Sequence, residues 1–215
     1  MPSKSVVSGA AALAAIITVV PTVASAAPAV PTQANNAPNA RSLSTSQLRS
    51  LTPVVRPQLK HRRIDSSGGY QGQRRCVRGD RPGTRALKRL LHRVYDPSIA
   101  IGTHRSCRGD TSEHYDGRAL DWMTNARNRR QAAQADAFVS WLIKKDRGVR
   151  GANARRLGIM YIIWRGRMWR AYSPGWRDYN GCSRGGGNPT ACHRNHVHIS
   201  LTWRGAQKRT SWYRR

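Results

Sequence analysis

The chain has 215 residues, which leaves room for one modest globular domain and one further segment and excludes an array of domains. Its 38 Lys and Arg stand against 10 Asp and Glu, a formal net charge of +28 that is larger than solubility requires. Such a field attracts polyanions: nucleic acid, anionic wall polymers or anionic membrane surfaces. Arginine spread from Arg41 to Arg215 does not choose among them.

The first 26 residues read as a signal peptide. Lys4 gives a positive start, VVSGAAALAAIITVV is an apolar run ended by Pro21, and Ala24-Ser25-Ala26 offers small residues for cleavage. Fifteen residues fall short of the ~20 that a spanning helix needs, and no second apolar run follows. The mature protein is therefore expected outside the cytoplasm, soluble, without stable membrane insertion, and with a net charge of +27 once Lys4 is removed. From Ala27 to about Gly69 the chain is rich in Pro, Ala, Asn, Ser, Thr and Arg with no aromatic residue, and is expected to be a flexible tether. SLSTSQLRSL (42–51) within it has the composition of a single helical turn.

The folded domain is expected over 70–215. ALKRLLHRVY (86–95) has Leu87, Leu90, Leu91 and Val94 at helical spacing after Pro82, with His92 on or beside the polar side. IAIG (99–102) reads as a short strand. Asn125 is placed to cap a second helix through about Lys145, with Ala132, Ala135, Phe138, Val139 and Leu142 as its buried stripe. ANARRLG ends a third helix at Gly158. IMYIIW and RMWRAY, joined by Arg165-Gly166, read as a hairpin, and 196–201 alternates as one more strand. Mixed helices and strands without a βαβ repeat predict an α+β fold, a small antiparallel sheet with flanking helices. Trp141, Trp164 and Trp169 sit on core-like patterns, whereas Trp176 and Tyr179, in SPGWRDYNG, are read as loop residues lining a groove.

Four cysteines form an even set, and export favours disulfides. Cys76–Cys107 and Cys182–Cys192 are the expected pairs because each brackets one compact segment. The alternative is a structural zinc held by Cys182, Cys192 and a nearby histidine.

The stretch SEHYDGRALDW (112–122) holds the only glutamate, Glu113, and two of nine aspartates around His114. His114 and Asp121 are seven apart, ~10.5 Å along an unbroken helix and too far to share an ion. Gly117 breaks such a helix, and RALDW reads as a strand with Leu120 and Trp122 on one face and Ala119, Asp121 and Met123 on the other. A turn at Gly117 can therefore bring Asp121 beside His114. In HVHIS, His196 and His198 are two apart on a strand and project to one face. Two imidazoles and a carboxylate with one position open make a catalytic zinc site.

SEHYDGRALD fits the SxHxxGxAxD pattern of the zinc D-Ala-D-Ala peptidases at all five fixed positions, and HVH fits their downstream HxH. The chain from about Cys76 to Thr202 resembles that superfamily, which includes D-Ala-D-Ala carboxypeptidases and dipeptidases, lysostaphin-type endopeptidases and the hedgehog signalling domain. It is most similar to a bacterial secreted branch carrying SEHxxGRALDW and LGIMYIIW. The resemblance implies that His114, Asp121 and His198 bind Zn2+, that His196 polarises the substrate carbonyl or stabilises the oxyanion without ligating, and that Arg105 meets a substrate carboxylate or carbonyl. Ser112 steadies the turn. Many relatives place a Glu three residues before the last ligand as general base; here that position is Asn195, so proton transfer falls to His196, Glu113 or a water relay.

The function expected is thus a secreted zinc metallopeptidase cutting peptidoglycan stem peptides or cross-links. Its partner is peptidoglycan or another anionic wall polymer, with nucleic acid bound only non-specifically. A zinc-stabilised wall- or polyanion-binding module without turnover is the alternative. A secreted basic metal-dependent nuclease is the third reading: RNHVH is superficially similar to an HNH nuclease, but TWRGAQKRTSWYRR brings no further acid or histidine.

Overall fold

The computed structural model describes residues 63–214. The signal segment, most of the tether and the 42–51 turn lie outside them. The described chain forms helix α1 (Pro82–Val94), strands β1 (Ile101–Gly102) and β2 (Ala119–Trp122), helices α2 (Arg129–Ile143) and α3 (Ala152–Leu157), strands β3 (Ile159–Trp164), β4 (Arg167–Arg170), β5 (Ser173–Asp178) and β6 (Val197–Leu201), and helix α4 (Trp203–Ala206). The strands make one antiparallel sheet in the order β1-β2-β6-β3-β4-β5. With its flanking helices this is an α+β fold.

Strand parity separates two faces. Leu120, Ile199, Ile162, Trp169 and Trp176 lie in cross-strand register, and that face packs beneath Leu87 and Leu91 of α1, Phe138, Val139 and Leu142 of α2 and Leu157 of α3. Leu87, Leu91 and the α2 stripe are buried as their spacing predicts, with Leu90 and Val94 half-buried at the edge of the core. On the other face Gly102, Asp121, His198 and Ile163 form one cross-strand row, and Ala119, Ser200 and Tyr161 the next. The site is built on this second face.

Several expectations shift. Asn128, not Asn125, caps α2: its side chain accepts from the N–H groups of Arg130 and Gln131, while Asn125 turns the chain before it. SPGWRDYNG is not all loop. Ser173–Asp178 is an edge strand, where Pro174 can sit without costing a ladder hydrogen bond. Trp176 consequently faces the helix side, where it lines a small groove with Trp164 and Asp136, apart from the cavity that Tyr179 lines. Residues 63–65 of the expected tether lie against the domain, where buried Asp65 accepts from the Ser211 N–H at 2.8 Å and from Arg204 at 3.5 Å.

Both expected disulfides are present, Cys76–Cys107 and Cys182–Cys192, and the second excludes a zinc site on those cysteines. Among the described residues no helix is long and apolar enough to cross a membrane.

Candidate metal centre

Gly117 makes the site. Its φ of 68° is a left-handed turn, and a Cβ there would meet the Gly79 carbonyl oxygen at 2.3 Å, so only glycine lets the chain reverse between His114 and β2. The reversal brings the Asp121 carboxylate under the His114 ring, and the β2–β6 register sets Asp121 directly opposite His198.

The three side chains are buried and their donor atoms converge. Asp121 Oδ1 lies 2.9 Å from His198 Nδ1 and 3.3 Å from His114 Nε2, and the two ring nitrogens are 3.3 Å apart. His114 Nδ1 is 2.5 Å from the Thr103 carbonyl, which can only accept, so Nδ1 carries the hydrogen and the Nε2 lone pair turns inward. Burial opposes ionisation of Asp121, but the polar and charged groups that face its carboxylate outweigh it and hold the carboxyl well below the usual carboxylate range. An ionised oxygen and two imidazole nitrogens directed at one point can hold a metal ion.

His196 lies beside this group without joining it. Its Nε2 is 3.6 Å from Asp121 Oδ1, and its Nδ1 is 2.8 Å from Asn195 Oδ1. Burial, opposed by the charge of Asp121, lowers its pKa and keeps the ring neutral. Arg105 reaches in from the mouth, donating to Asp121 Oδ2 and lying 3.2 Å from His114 Nε2, with half of its side chain exposed. Ser112 Oγ accepts the His114 N–H at 3.3 Å, the turn-steadying contact expected of it. Glu113 is not beside the donor point. Its carboxylate sits behind His198, bound to Tyr161 and Tyr70.

The donor group opens into a cavity of about 560 Å³. One wall carries Arg105, on the segment tied by Cys76–Cys107; the opposite wall carries Thr190 and His193, on the loop closed by Cys182–Cys192. Tyr179 lines it as expected. His193 and Tyr161 are functional-site residues that sequence reasoning did not single out. The His193 ring is 4.7 Å from that of His196 and 5.6 Å from that of His198, and burial, with both of those histidines, pushes its pKa down to about 3. No periodicity marks His193, because it belongs to a loop that a disulfide brings into place.

No curated protein and no solved structure matches the chain. The family model described as VldE, C-terminal domain, matches residues 76–194, more than half of the sequence; the match contains all four cysteines, His114 and Asp121 and ends ahead of His196 and His198. The chain belongs to the VldE C-terminal domain family.

Proposed function

We propose that the protein is a secreted zinc metallopeptidase that hydrolyses peptide bonds in the stem peptides or cross-links of peptidoglycan. The observation carrying this reading is the convergence of His114 Nε2, Asp121 Oδ1 and His198 Nδ1. Their separations of 2.9, 3.3 and 3.3 Å approach the ~3.3 Å edge of a tetrahedron with the 2.0–2.1 Å bonds that zinc makes to nitrogen and oxygen. Three protein donors beside an open cavity are the pattern of a catalytic rather than a structural zinc. When bound, the ion supplies a water of pKa near ~7 and polarises a carbonyl.

The chain's own residues supply the rest. Asn195 Oδ1 receives the Nδ1 hydrogen of His196, which leaves Nε2 with a lone pair facing the donor point, so neutral His196 can take a proton from an attacking water. Once protonated it donates to the developing oxyanion. Arg105, half exposed at the rim, can take a substrate carbonyl or carboxylate. The signal segment and both disulfides support an extracellular setting.

Incubating the purified protein with peptidoglycan fragments, with and without chelator, tests this by mass spectrometry. A chelator-sensitive loss of D-Ala or opening of a cross-link is expected; fragments of unchanged mass overturn the peptidase reading.

Asn195 in the position of the usual glutamate favours a second reading, a metal-stabilised binder of anionic wall polymer. The 38 Lys and Arg outnumber the 10 Asp and Glu almost four to one, which leaves a strong positive field for an anionic polymer. Metal-dependent wall binding without turnover distinguishes it.

A further inference from the structure

His198 is held from both sides. Nδ1 faces Asp121 and His114, while Nε2 lies 2.9 Å from Ser200 Oγ on the same strand face. Ser200 Oγ in turn is 3.5 Å from Glu113 Oε2. The Glu113 carboxylate accepts from Tyr161 at 2.5 Å and from Tyr70 at 3.1 Å, and the Tyr161 ring stacks on the His198 imidazole with centroids 5.5 Å apart. Glu113, Ser200, Tyr161 and His198 are all buried.

A neutral imidazole has one hydrogen. For Nδ1 to ligate, that hydrogen must sit on Nε2, where it needs a buried acceptor. Ser200 is that acceptor only if its single hydroxyl hydrogen points elsewhere. Were it to point at Nε2, the ring hydrogen would move to Nδ1 and the ligand would be lost. A carboxylate cannot donate, so Glu113 draws the Ser200 hydrogen toward itself and leaves a lone pair for Nε2–H. The Tyr161 and Tyr70 phenols donate to the carboxylate and fix its rotamer. We infer that Ser200 and Glu113 form a relay that holds His198 in the tautomer able to ligate through Nδ1. Glu113 is then a positioning residue for the metal and not the group that moves the proton. Tyr70, on the segment that leads into the domain, makes that segment part of the metal centre.

This rests on the metal-binding part of the proposed function, and the metal itself is the readout. Zinc affinity is measured by chelator competition on the full chain and its Ser200→Ala, Ser200→Thr and Glu113→Gln variants, with melting curves to show that each is folded. The His198 ring N–H is followed by nitrogen-edited NMR in the zinc-loaded protein. Ser200→Ala is expected to weaken zinc binding about 10- to 100-fold, the usual effect of removing a partner that orients a ligand. Ser200→Thr, which keeps the hydroxyl, restores the affinity. The loaded wild type should show a hydrogen on His198 Nε2, protected from exchange, and Ser200→Ala should lose that protection. Wild-type affinity in Ser200→Ala, or a His198 hydrogen on Nδ1 in the loaded protein, overturns the relay. So does a Glu113→Gln variant that binds zinc as the wild type does but no longer cuts. A wild type that binds zinc without turnover leaves the relay standing and removes only the peptidase; a wild type that takes no zinc removes both.

Discussion

Asp116 and Asp121 are five residues apart in one stretch, both buried, and their surroundings differ in kind. Around Asp116 fixed donors answer the carboxylate. Its carboxylate accepts from the Arg118 guanidinium at 3.1 Å and from the N–H groups of Arg74 and Arg75 at 3.1 and 3.0 Å. Arg118 spends its other hydrogens on the carbonyls of Leu201, Gln71 and Gly72, and its plane lies 4.4 Å over Trp203. Around Asp121 the neighbours are three histidines and a half-exposed arginine, and the lone pairs of His114 and Asp121 turn toward one point. A buried acid therefore marks a site only when its partners leave acceptors converging on a space that a cation can fill. The fixed donors around Asp116 make a clamp instead, joining the entering segment to β2 and β6.

The sharpest way to break this contrast is to remove each carboxylate. Asp121→Ala should abolish metal uptake, read by metal analysis after dialysis, because it deletes the only anionic ligand. Asp116→Ala should leave uptake by the folded protein unchanged and cost about 3–5 kcal/mol in denaturant unfolding, since Arg118 stays buried without its partner. Retained metal in Asp121→Ala, or lost metal in folded Asp116→Ala, would reverse the roles. A smaller effect belongs to the loop that carries His193. Replacing Cys182 and Cys192 with Ala should cost about 2–3 kcal/mol through the unfolded chain and leave the metal bound, because no ligand lies on that loop. The smallest is Tyr70→Phe. It removes one hydrogen bond to Glu113 from a largely exposed ring and should change thermal stability by about 1 kcal/mol or less.

Period and spacing made much of this fold legible. The α1 and α2 stripes, the β3–β4 hairpin and the strand parity that puts Asp121 opposite the apolar face all follow from residue order. So did the meeting of His114 with Asp121, since Gly117 is the one residue that permits the turn. Three features were not legible, each for a physical reason. β5 contains Pro174 and Gly175 and becomes a strand only because an edge needs half a ladder. Asn125 and Asn128 have the same chemistry, and only the turn geometry decides which one caps. Tyr161, Ser200 and His193 reach the site by cross-strand register and a disulfide, and such neighbours are remote in sequence. Glu113 shows the limit most clearly: next to a ligand in sequence, it lies behind a different ligand in space.

The measurement that bears most directly on the metal centre is the zinc content of the purified protein and of two single variants, His198→Ala and His196→Ala, dialysed together. The geometry predicts one zinc per chain in the wild type and in His196→Ala, and none in His198→Ala. Zinc kept by His198→Ala and lost by His196→Ala would exchange the two roles, and equal zinc in all three proteins, or none in any, would contradict the site.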